Sequence, residues 1–436
     1  MLTRHFRYGI KVRMSNSRHP YSCFMIINME KIMRKVVTDF VKIKDLNETE
    51  RGRISSFGID VSIFSDCYIL PGFADVHVHL REPGFLYKET VATGTASAAA
   101  GGFTDIMSMP NLSPCPDSIE NLQVQIEAIE KDALVNVYPY GAITVGEMGQ
   151  EMADLEGIAD KVIAFTDDGK GVASESMMLE AMQRAKNLGK LIVAHCEDES
   201  YPKDAHEAEW KQLERDLELV RNTGCSYHVC HISTKESVEL VRAAKAEGLD
   251  VTCETAPHYL TISNDEIEDH GRFKMNPPIK TAEDKAVLIE ALKDGTIDMI
   301  ATDHAPHSEE EKSKGFAGSA FGIIGMETAF PVMYKKLVDT GIISLEKLVE
   351  TLYKNPRERF GLTACSLEEE LIKERPTFAV WDLEEEYVID PEKFLSKGRS
   401  TPFDGWEVKG RCVATVIDGN LIQEYKDERH QIHDIK

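Results

Sequence analysis

Eight short apolar segments alternate along this chain with longer amphipathic stretches, and this alternation constrains the fold more than any other feature. The stretches between the segments, such as SESMMLEAMQRAKNLGK and TKESVELVRAAKAEGLD, carry apolar residues at helical spacing. Strands that alternate with helices form parallel sheets, so eight such units predict an α/β fold with a (β/α)8 barrel over residues 71–362. The eight segments are ADVHVHL, TDIMSMPN, VNVYPYGA, KVIAFTDDG, LIVAHCED, YHVCHIST, DVTCETAPHY and DMIATDHAPH.

The sequence on either side of the predicted barrel contains short β-like runs. VVTDFVKI and SDCYIL lie ahead of it, and TFAVWDL and CVATVIDGNLI follow it, with a turn signal at Asp418-Gly419. We therefore predict one small flanking β-domain built from both chain ends, with pieces at residues 34–70 and 363–436. The barrel is inserted between the two pieces.

Residues 1–33 are predicted to be a poorly ordered extension. The first 29 residues contain Arg and Ser but no acidic residue, a composition that resembles an organelle transit peptide. We favour the simpler interpretation, which is an upstream extension ahead of a start at Met29 or Met33.

Charge and cysteine usage restrict the class of partner. The formal net charge of −24 argues against nucleic acid and anionic membranes, and no apolar run approaches the length that spans a bilayer. The nine cysteines are scattered and form no CxxC pair, which is typical of a reducing compartment. We therefore expect a cytoplasmic protein whose partner is a small molecule.

Polar residues follow most of the predicted strands, at the ends where a barrel of this kind holds its chemistry. Because these ends meet at one face of the barrel, we expect their side chains to surround a single site. The residues that stand there are His79, Asn111, Asp168, His195, His231, His258 and Asp303.

His77 and His79 form an HxH pair within the first apolar segment. Residues two apart in a strand point to the same face, so both imidazoles face the barrel axis together with Asp75. Imidazole is a ligand that suits zinc and related metals. Alone, however, such a pair is more typical of surface or core histidines.

Four further residues strengthen the metal interpretation, although each has an ordinary alternative as a helix-capping Asp or a backbone-bonded His. They are Asp168, His195, His231 and Asp303. Four histidines and two aspartates could hold two metal ions with one bridging carboxylate, and such a pair polarises a carbonyl and activates a shared water. Asp303, at the last strand end, is the best candidate for the group that moves the proton.

Eight motifs in this order resemble those of dihydroorotases of the class I bacterial type, in the amidohydrolase superfamily, and the resemblance runs from about residue 67 to 422. Members of that family reversibly cyclise N-carbamoyl-L-aspartate to L-dihydroorotate and water in de novo pyrimidine (UMP) synthesis. The resemblance implies a hydrolase of cyclic amide C–N bonds. The motifs are HVHLREPG, MSMPN, FTDDGKGV, VAHCED, YHVCHISTKES, ETAPHYL, FKMNPPIK and ATDHAPH.

The resemblance also implies two zinc ions per subunit and a catalytic role for Asp303. Many relatives bridge the ions with a carboxylated lysine, but this chain has no lysine at the fourth strand end, as in bacterial members that bridge with aspartate. Asp167 is the second choice for that bridge. The implied ligands are His77, His79 and Asp303 at one zinc, His195 and His231 at the other, and Asp168 between them.

The substrate of that family carries a carboxylate on a ring of amides. Arg81 can bind a carboxylate bidentately, although a plain surface ion pair with Glu82 is the alternative. Asn111 can both donate and accept, although it could also be only a turn residue. The positions that the resemblance implies for substrate binding are Arg81, Asn111, Asn276, His307, Phe321 and Gly322.

The chain departs from the family pattern after HCED, where a longer, Gly-rich segment is usual and residues 198–220 are short. Two other functions therefore stay open. One is a catalytically silent subunit that binds aspartate transcarbamoylase, and the other is a different cyclic amidase such as an allantoinase. Arg81 argues against the second, because those substrates lack the carboxylate. Oligomeric state is open, with a homodimer as the assembly to test.

Overall fold

The computed structural model describes residues 40–425. The predicted extension, the first residues of the N-terminal β-piece and the last eleven residues of the sequence therefore lie outside the described part. The strands are β1 (Val41–Lys42), β2 (Tyr68–Pro71), β3 (Phe73–Val78), β4 (Phe103–Ser108), β5 (Asn136–Pro139), β6 (Gly141–Ala142), β7 (Phe165–Thr166), β8 (Ile192–Ala194), β9 (Tyr227–Val229), β10 (Val251–Thr255), β11 (Met299–Ile300), β12 (Phe378–Val388), β13 (Glu407–Ile417) and β14 (Asn420–Glu424).

Helices follow most of the strands, and two of them continue into π-helical turns at Tyr334–Val338 and Glu350–Lys354. Over residues 40–425, none of the helices has the length and apolar content needed to cross a bilayer. The α-helices are α1 (Glu48–Ser56), α2 (Val91–Ala100), α3 (Ile119–Asp132), α4 (Leu155–Ile158), α5 (Glu175–Asn187), α6 (His206–Thr223), α7 (Lys235–Ala246), α8 (Pro257–Thr261), α9 (Ala282–Asp294), α10 (Glu309–Lys312), α11 (Gly315–Gly318), α12 (Ala329–Met333), α13 (Leu345–Val349), α14 (Asn355–Arg359) and α15 (Leu367–Leu371).

The predicted (β/α)8 barrel is confirmed. Strands β3 to β5 pair in parallel, and so do β6 to β11. β5 and β6 are two halves of one strand that changes partner at Tyr140, whose N–H donates to Ser108 O at 3.0 Å, while Gly141 N–H donates to Ala164 O at 3.0 Å. The barrel closes where His79 N–H donates to His304 O at 2.8 Å.

Local sequence signals start and stop the helices that cover the barrel. Ser174 caps α5 by accepting from Met177 N–H, and Thr234 caps α7 by accepting from Ser237 N–H. Gly224 ends α6 with a φ of 65°, a conformation that only glycine adopts at no steric cost. These caps fix where the covering helices begin and end.

The flanking β-domain built from both chain ends is also confirmed. Its five antiparallel strands run in the order β1-β2-β12-β13-β14, so β2 from the N-terminal side pairs with β12 from the C-terminal side. Ile69, Phe378, Val380 and Val413 are fully buried between them. Residue 72 joins β2 to the first barrel strand, and it is glycine because a Cβ there would collide with the Thr104 side chain. The boundaries given for each domain stay predictions.

Candidate active site

Six buried side chains from five strand ends converge at the C-terminal face of the barrel. His77 Nε2 lies 3.3 Å from Asp168 Oδ1, and His79 Nε2 lies 3.4 Å from Asp168 Oδ2. His79 Nε2 also lies 3.3 Å from Asp303 Oδ1. His77 in β3 and His79 directly after it therefore face both carboxylates.

The other two histidines approach Asp168 from the opposite direction. His195 Nδ1 and His231 Nε2 lie 3.0 Å from each other. They are 3.8 and 3.9 Å from Asp168 Oδ1. One carboxylate thus lies between the two pairs of histidines, which is the arrangement that a bridging ligand requires.

This set of atoms fits a metal cofactor. Zinc holds nitrogen and oxygen ligands at about 2.0–2.2 Å in a tetrahedron, so two ligand atoms on one ion lie roughly 3.3–3.6 Å apart. The distances from His77 and His79 to Asp168 lie within that range, and those from His195 and His231, 3.8 and 3.9 Å, are slightly longer. Within residues 40–425, the buried atoms His77 Nε2 and Asp168 Oδ1 have no hydrogen-bond partner, and a cation would satisfy both.

The electrostatics keep the two aspartates ionised. Burial alone favours the neutral acid, but the charge of His77, 3.3 Å away, holds the pKa of Asp168 well below its usual range. Burial also raises the pKa of Asp303, but its hydrogen bond to His79 and the charge of His77 outweigh that effect and lower the pKa. Burial and the neighbouring charge of His195 lower the pKa of His231 to about 3. Metals bind charged carboxylates and neutral imidazoles, so the two aspartates and His231 are already in the binding form. Burial opposes protonation of His77, but the charge of Asp168 raises the pKa of His77 well above its usual value, so this ring must lose a proton when a metal binds.

Two glutamates that were not predicted hold these histidines in place. Glu254 Oε1 lies 2.8 Å from His77 Nδ1, and Glu197 Oε2 lies 3.1 Å from His195 Nε2. In each case the ring nitrogen on the other side is left to face Asp168. One signal for them existed in the sequence, since both are carboxylates placed inside or directly after apolar strands.

A cavity of about 270 Å³ opens above the converging side chains. Lys170 and Lys203 also line it, although neither was predicted as a site residue. The structure brings to this one cavity every residue expected to contact substrate, namely Arg81, Asn111, Asn276, His307, Phe321 and Gly322.

Arg81 reaches the cavity from the loop after β3. Its φ of 62° turns the chain sharply at this residue. Arg81 Nε donates to Pro306 O at 3.2 Å, and its Nη2 lies 3.4 Å from His307 Nε2. Glu82 accepts instead from Val91 N–H at 2.9 Å.

Asn111 and Asn276 are both anchored beside the six converging side chains. Asn111 Nδ2 donates to Asp168 O at 2.7 Å and to Glu147 Oε1 at 3.0 Å. Its buried Oδ1 has no partner within residues 40–425. Asn276 Nδ2 donates to Glu197 Oε2 at 2.7 Å. Asn111 is therefore fixed by tertiary contacts, with one acceptor left over.

His307 links the arginine to the last loop of the barrel. Its Nε2–H donates to Phe321 O at 2.7 Å. Burial, together with the positive charges of Arg81 and Lys88, lowers the pKa of His307 to about 3. The ring is therefore neutral in the physiological range.

Two other sequence candidates lie away from the cavity. The Asp167 carboxylate accepts from the N–H groups of Ile143 and Thr144 at 2.8 and 3.0 Å, on the opposite face of the strand from Asp168. His258 is buried on α8, and burial lowers its pKa to about 4. Neither residue lines the cavity.

The chain is similar to known proteins over most of its length. A family model described as "Dihydro-orotase-like" matches residues 67–237. The chain is 45% identical over 427 residues to a dihydroorotase of Fusobacterium nucleatum, an alignment that covers 93% of this chain and 99% of that protein. It is 48% identical over 373 residues to a dihydroorotase of a Geobacillus species, covering 81% of this chain and 87% of that protein.

Solved structures share the fold. An L-hydantoinase (dihydropyrimidinase) from Arthrobacter aurescens superposes with a TM-score of 0.73 at 28% identity, covering 82% of this chain and 86% of that one. A D-hydantoinase superposes with a TM-score of 0.70 at 21% identity, covering 81% and 85% of the two chains. The barrel and its flanking sheet are thus a known architecture.

Proposed function

This chain belongs to the dihydroorotase family, and from that premise we propose how its residues carry out the reaction. The protein is a dihydroorotase, a hydrolase of cyclic amide C–N bonds that acts on a small molecule. It interconverts N-carbamoyl-L-aspartate with L-dihydroorotate and water. The observation that carries the proposed roles is that five of the six proposed metal ligands line one cavity together with Arg81, while the sixth, His77, lies buried against Asp168.

The cofactor proposed is a pair of zinc ions. His77, His79 and Asp303 would hold one ion, His195 and His231 the other, and Asp168 both. Two such ions polarise a carbonyl and lower the pKa of bound water toward neutrality. Support comes from the burial of all six side chains, from the close spacing of the donor atoms of Asp168 and the four histidines, and from the 3.3 Å between His79 Nε2 and Asp303 Oδ1.

Arg81 is proposed to bind the carboxylate of dihydroorotate. A guanidinium makes two parallel hydrogen bonds to a carboxylate, and this one already points into the cavity. His307 lies beside Arg81 and is neutral, so it offers a polar contact without repelling the guanidinium. The unpartnered Oδ1 of Asn111 suits a ring N–H, and Asn276 with the backbone at Phe321 and Gly322 completes the proposed contacts.

Asp303 is proposed to move the proton. Its carboxylate is ionised, since nearby imidazoles lower its pKa, and it lies at the edge of the cavity. It would accept a proton from the attacking water and deliver that proton to the ring nitrogen as the C–N bond breaks. Cyclisation runs through the same contacts in reverse.

Metal content and substrate choice test these roles together. We expect about two zinc ions per chain after loading, and turnover of L-dihydroorotate that a chelator abolishes and added zinc restores. Allantoin, which lacks the carboxylate, should be a poor substrate. Full zinc loading without turnover would instead support a silent subunit, and the assay would then be repeated with aspartate transcarbamoylase.

Assembly and compartment are also proposals. Leu86, Tyr87, Met148 and Tyr201 are exposed apolar side chains on loops at the cavity face. Exposed apolar residues of this kind suit a protein partner, either a second copy of the chain or aspartate transcarbamoylase. Light scattering of the protein, alone and with that enzyme, would test both. The scattered cysteines support a cytoplasmic location.

A further inference from the structure

Lys312 is a buried lysine that the proposed reaction does not use. It donates to the backbone of Gly322, a residue that lines the cavity. Its side chain lies at the end of α10, and the residue is 3% exposed. Its Nζ donates to three backbone carbonyls, those of Lys274, Ala320 and Gly322, at 3.0, 2.7 and 2.7 Å. Across residues 40–425 no carboxylate forms an ion pair with it.

The three carbonyls belong to two separate segments of the chain. Lys274 lies two residues before Asn276, whereas Ala320 and Gly322 stand on either side of Phe321. The segments also touch directly, because Gly322 N–H donates to Lys274 O at 3.0 Å. The lysine therefore joins the loop that carries Asn276 to the loop that carries Phe321 and Gly322.

The position of the second loop is restricted at Gly322. Its φ is 134°, a conformation that L side chains rarely adopt. A Cβ at this residue would lie 2.6 Å from Ala305 O and 3.0 Å from His307 Cδ2. The backbone at Gly322 therefore packs directly against Ala305 and His307, which line the cavity with it, and no larger residue fits there.

Burying an ammonium group costs free energy, and the three hydrogen bonds to backbone carbonyls offset part of that cost. Burial lowers the pKa of Lys312 to about 7, and the positive charge of Lys274 adds to this effect against the opposing charge of Glu311. An ammonium has three N–H donors, and here each has a carbonyl acceptor. An apolar side chain of similar length would fill the space but leave all three carbonyls without this donor.

We propose that Lys312 is a positioning residue that joins the two substrate loops and so sets the width of the cavity between Asn276 and Phe321. The inference rests on the proposed function, since those loops are assigned to substrate there. Lys312 itself does not touch the reacting atoms. Its loss should weaken substrate binding more than it slows the chemical step.

The test compares the zinc-loaded full chain with Lys312→Met and Lys312→Gln, and with Lys314→Met as the matched control. Lys314 is exposed and lies two residues away. Backbone hydrogen exchange of peptides covering 272–277 and 315–323 reports loop order without any need for activity. Steady-state hydrolysis of L-dihydroorotate reports KM and kcat separately.

We expect both Lys312 variants to exchange faster than wild type in both peptides, and the control to exchange at the wild-type rate. KM should rise by about tenfold with kcat changed by less than about threefold, the pattern for loss of binding that is equal in ground and transition states. Lys312→Arg, which keeps a charge and several donors, should restore part of the loss. If one variant fails to fold, the other carries the comparison.

Wild-type exchange and wild-type KM in a folded Lys312→Met or Lys312→Gln protein would overturn the proposal. So would a loss confined to kcat with KM unchanged. If wild type itself has no turnover, the proposed function fails while the exchange measurement still decides whether Lys312 joins the loops. The two failures are therefore distinct.

Discussion

Glu254 fixes the ring of His77 by a hydrogen bond of 2.8 Å between its Oε1 and His77 Nδ1. The second carboxylate oxygen lies 3.1 Å from His228 Nε2, and both Glu254 and His77 are completely buried. Burial opposes ionisation of Glu254, but the charges of the two histidines lower its pKa to about 2. The anion thus directs His77 Nε2 toward Asp168.

Replacing Glu254 by glutamine should weaken metal binding. A neutral amide has one acceptor oxygen and cannot hold both histidines as the carboxylate does, so we expect zinc affinity to fall by about 10- to 100-fold. Competition with a chromophoric chelator measures this directly. Glu239→Gln, an exposed change on α7, is the control. Unchanged affinity in Glu254→Gln would remove the orienting role.

Replacing Arg81 by glutamine should change substrate preference. Loss of a charge-assisted hydrogen bond costs about 1.5–3 kcal/mol, so kcat/KM for L-dihydroorotate should fall by about 10- to 100-fold. Hydrolysis of 5,6-dihydrouracil, which has the same ring without the carboxylate, should not fall. An equal loss for both substrates would mean that Arg81 acts on the ring or the fold, and not on the carboxylate.

Glu327 should make stability depend on pH. Its Oε1 accepts from Ser97 Oγ and from the N–H groups of Leu395 and Ser396, at 2.8, 2.9 and 3.2 Å. Burial nevertheless dominates and raises its pKa from 4.5 to about 7. The folded state therefore binds this proton more tightly than the unfolded state, and stability falls as pH rises from about 4.5 to about 7.

Glu327→Gln tests that pH effect, because the amide keeps the acceptor oxygen and does not ionise. The free energy of unfolding of the variant minus that of wild type should be larger at about pH 8 than at about pH 5, by at most about 3 kcal/mol. Thermal unfolding of both proteins at the two pH values measures the difference. If the difference in Tm between variant and wild type is the same at both pH values, the pKa of Glu327 is not raised.

Much of the fold was predictable because it depends on local patterns. The barrel was predicted because apolar runs alternate with stretches whose apolar residues have helical spacing. The shared direction of His77 and His79 was predicted because residues two apart in a strand point to the same face. The flanking sheet was predictable from short β-like runs at both ends. The runs did not predict the bounds of β1. In the described part of the chain, only Val41–Lys42 of the run VVTDFVKI forms a strand.

The residues that support the site were harder to predict because their contacts span long distances in sequence. Glu254 and His77 are 177 residues apart, and no local pattern pairs them. Lys312 follows three glutamates in HSEEEK and reads as one member of an exposed charged run. Its burial depends on two loops folding over it. Asp168 was distinguishable from Asp167 only by the direction of alternate residues in a strand.

We propose above all that the candidate metal site hydrolyses dihydroorotate and that Asp303 moves the proton. The most direct measurement follows the ultraviolet absorbance of L-dihydroorotate with zinc-loaded wild type and with Asp303→Ala at equal zinc content. We expect a zinc-dependent loss of absorbance in wild type and none in the variant, with both proteins folded. Wild-type turnover in Asp303→Ala, or no turnover in the zinc-loaded wild type, would contradict the account.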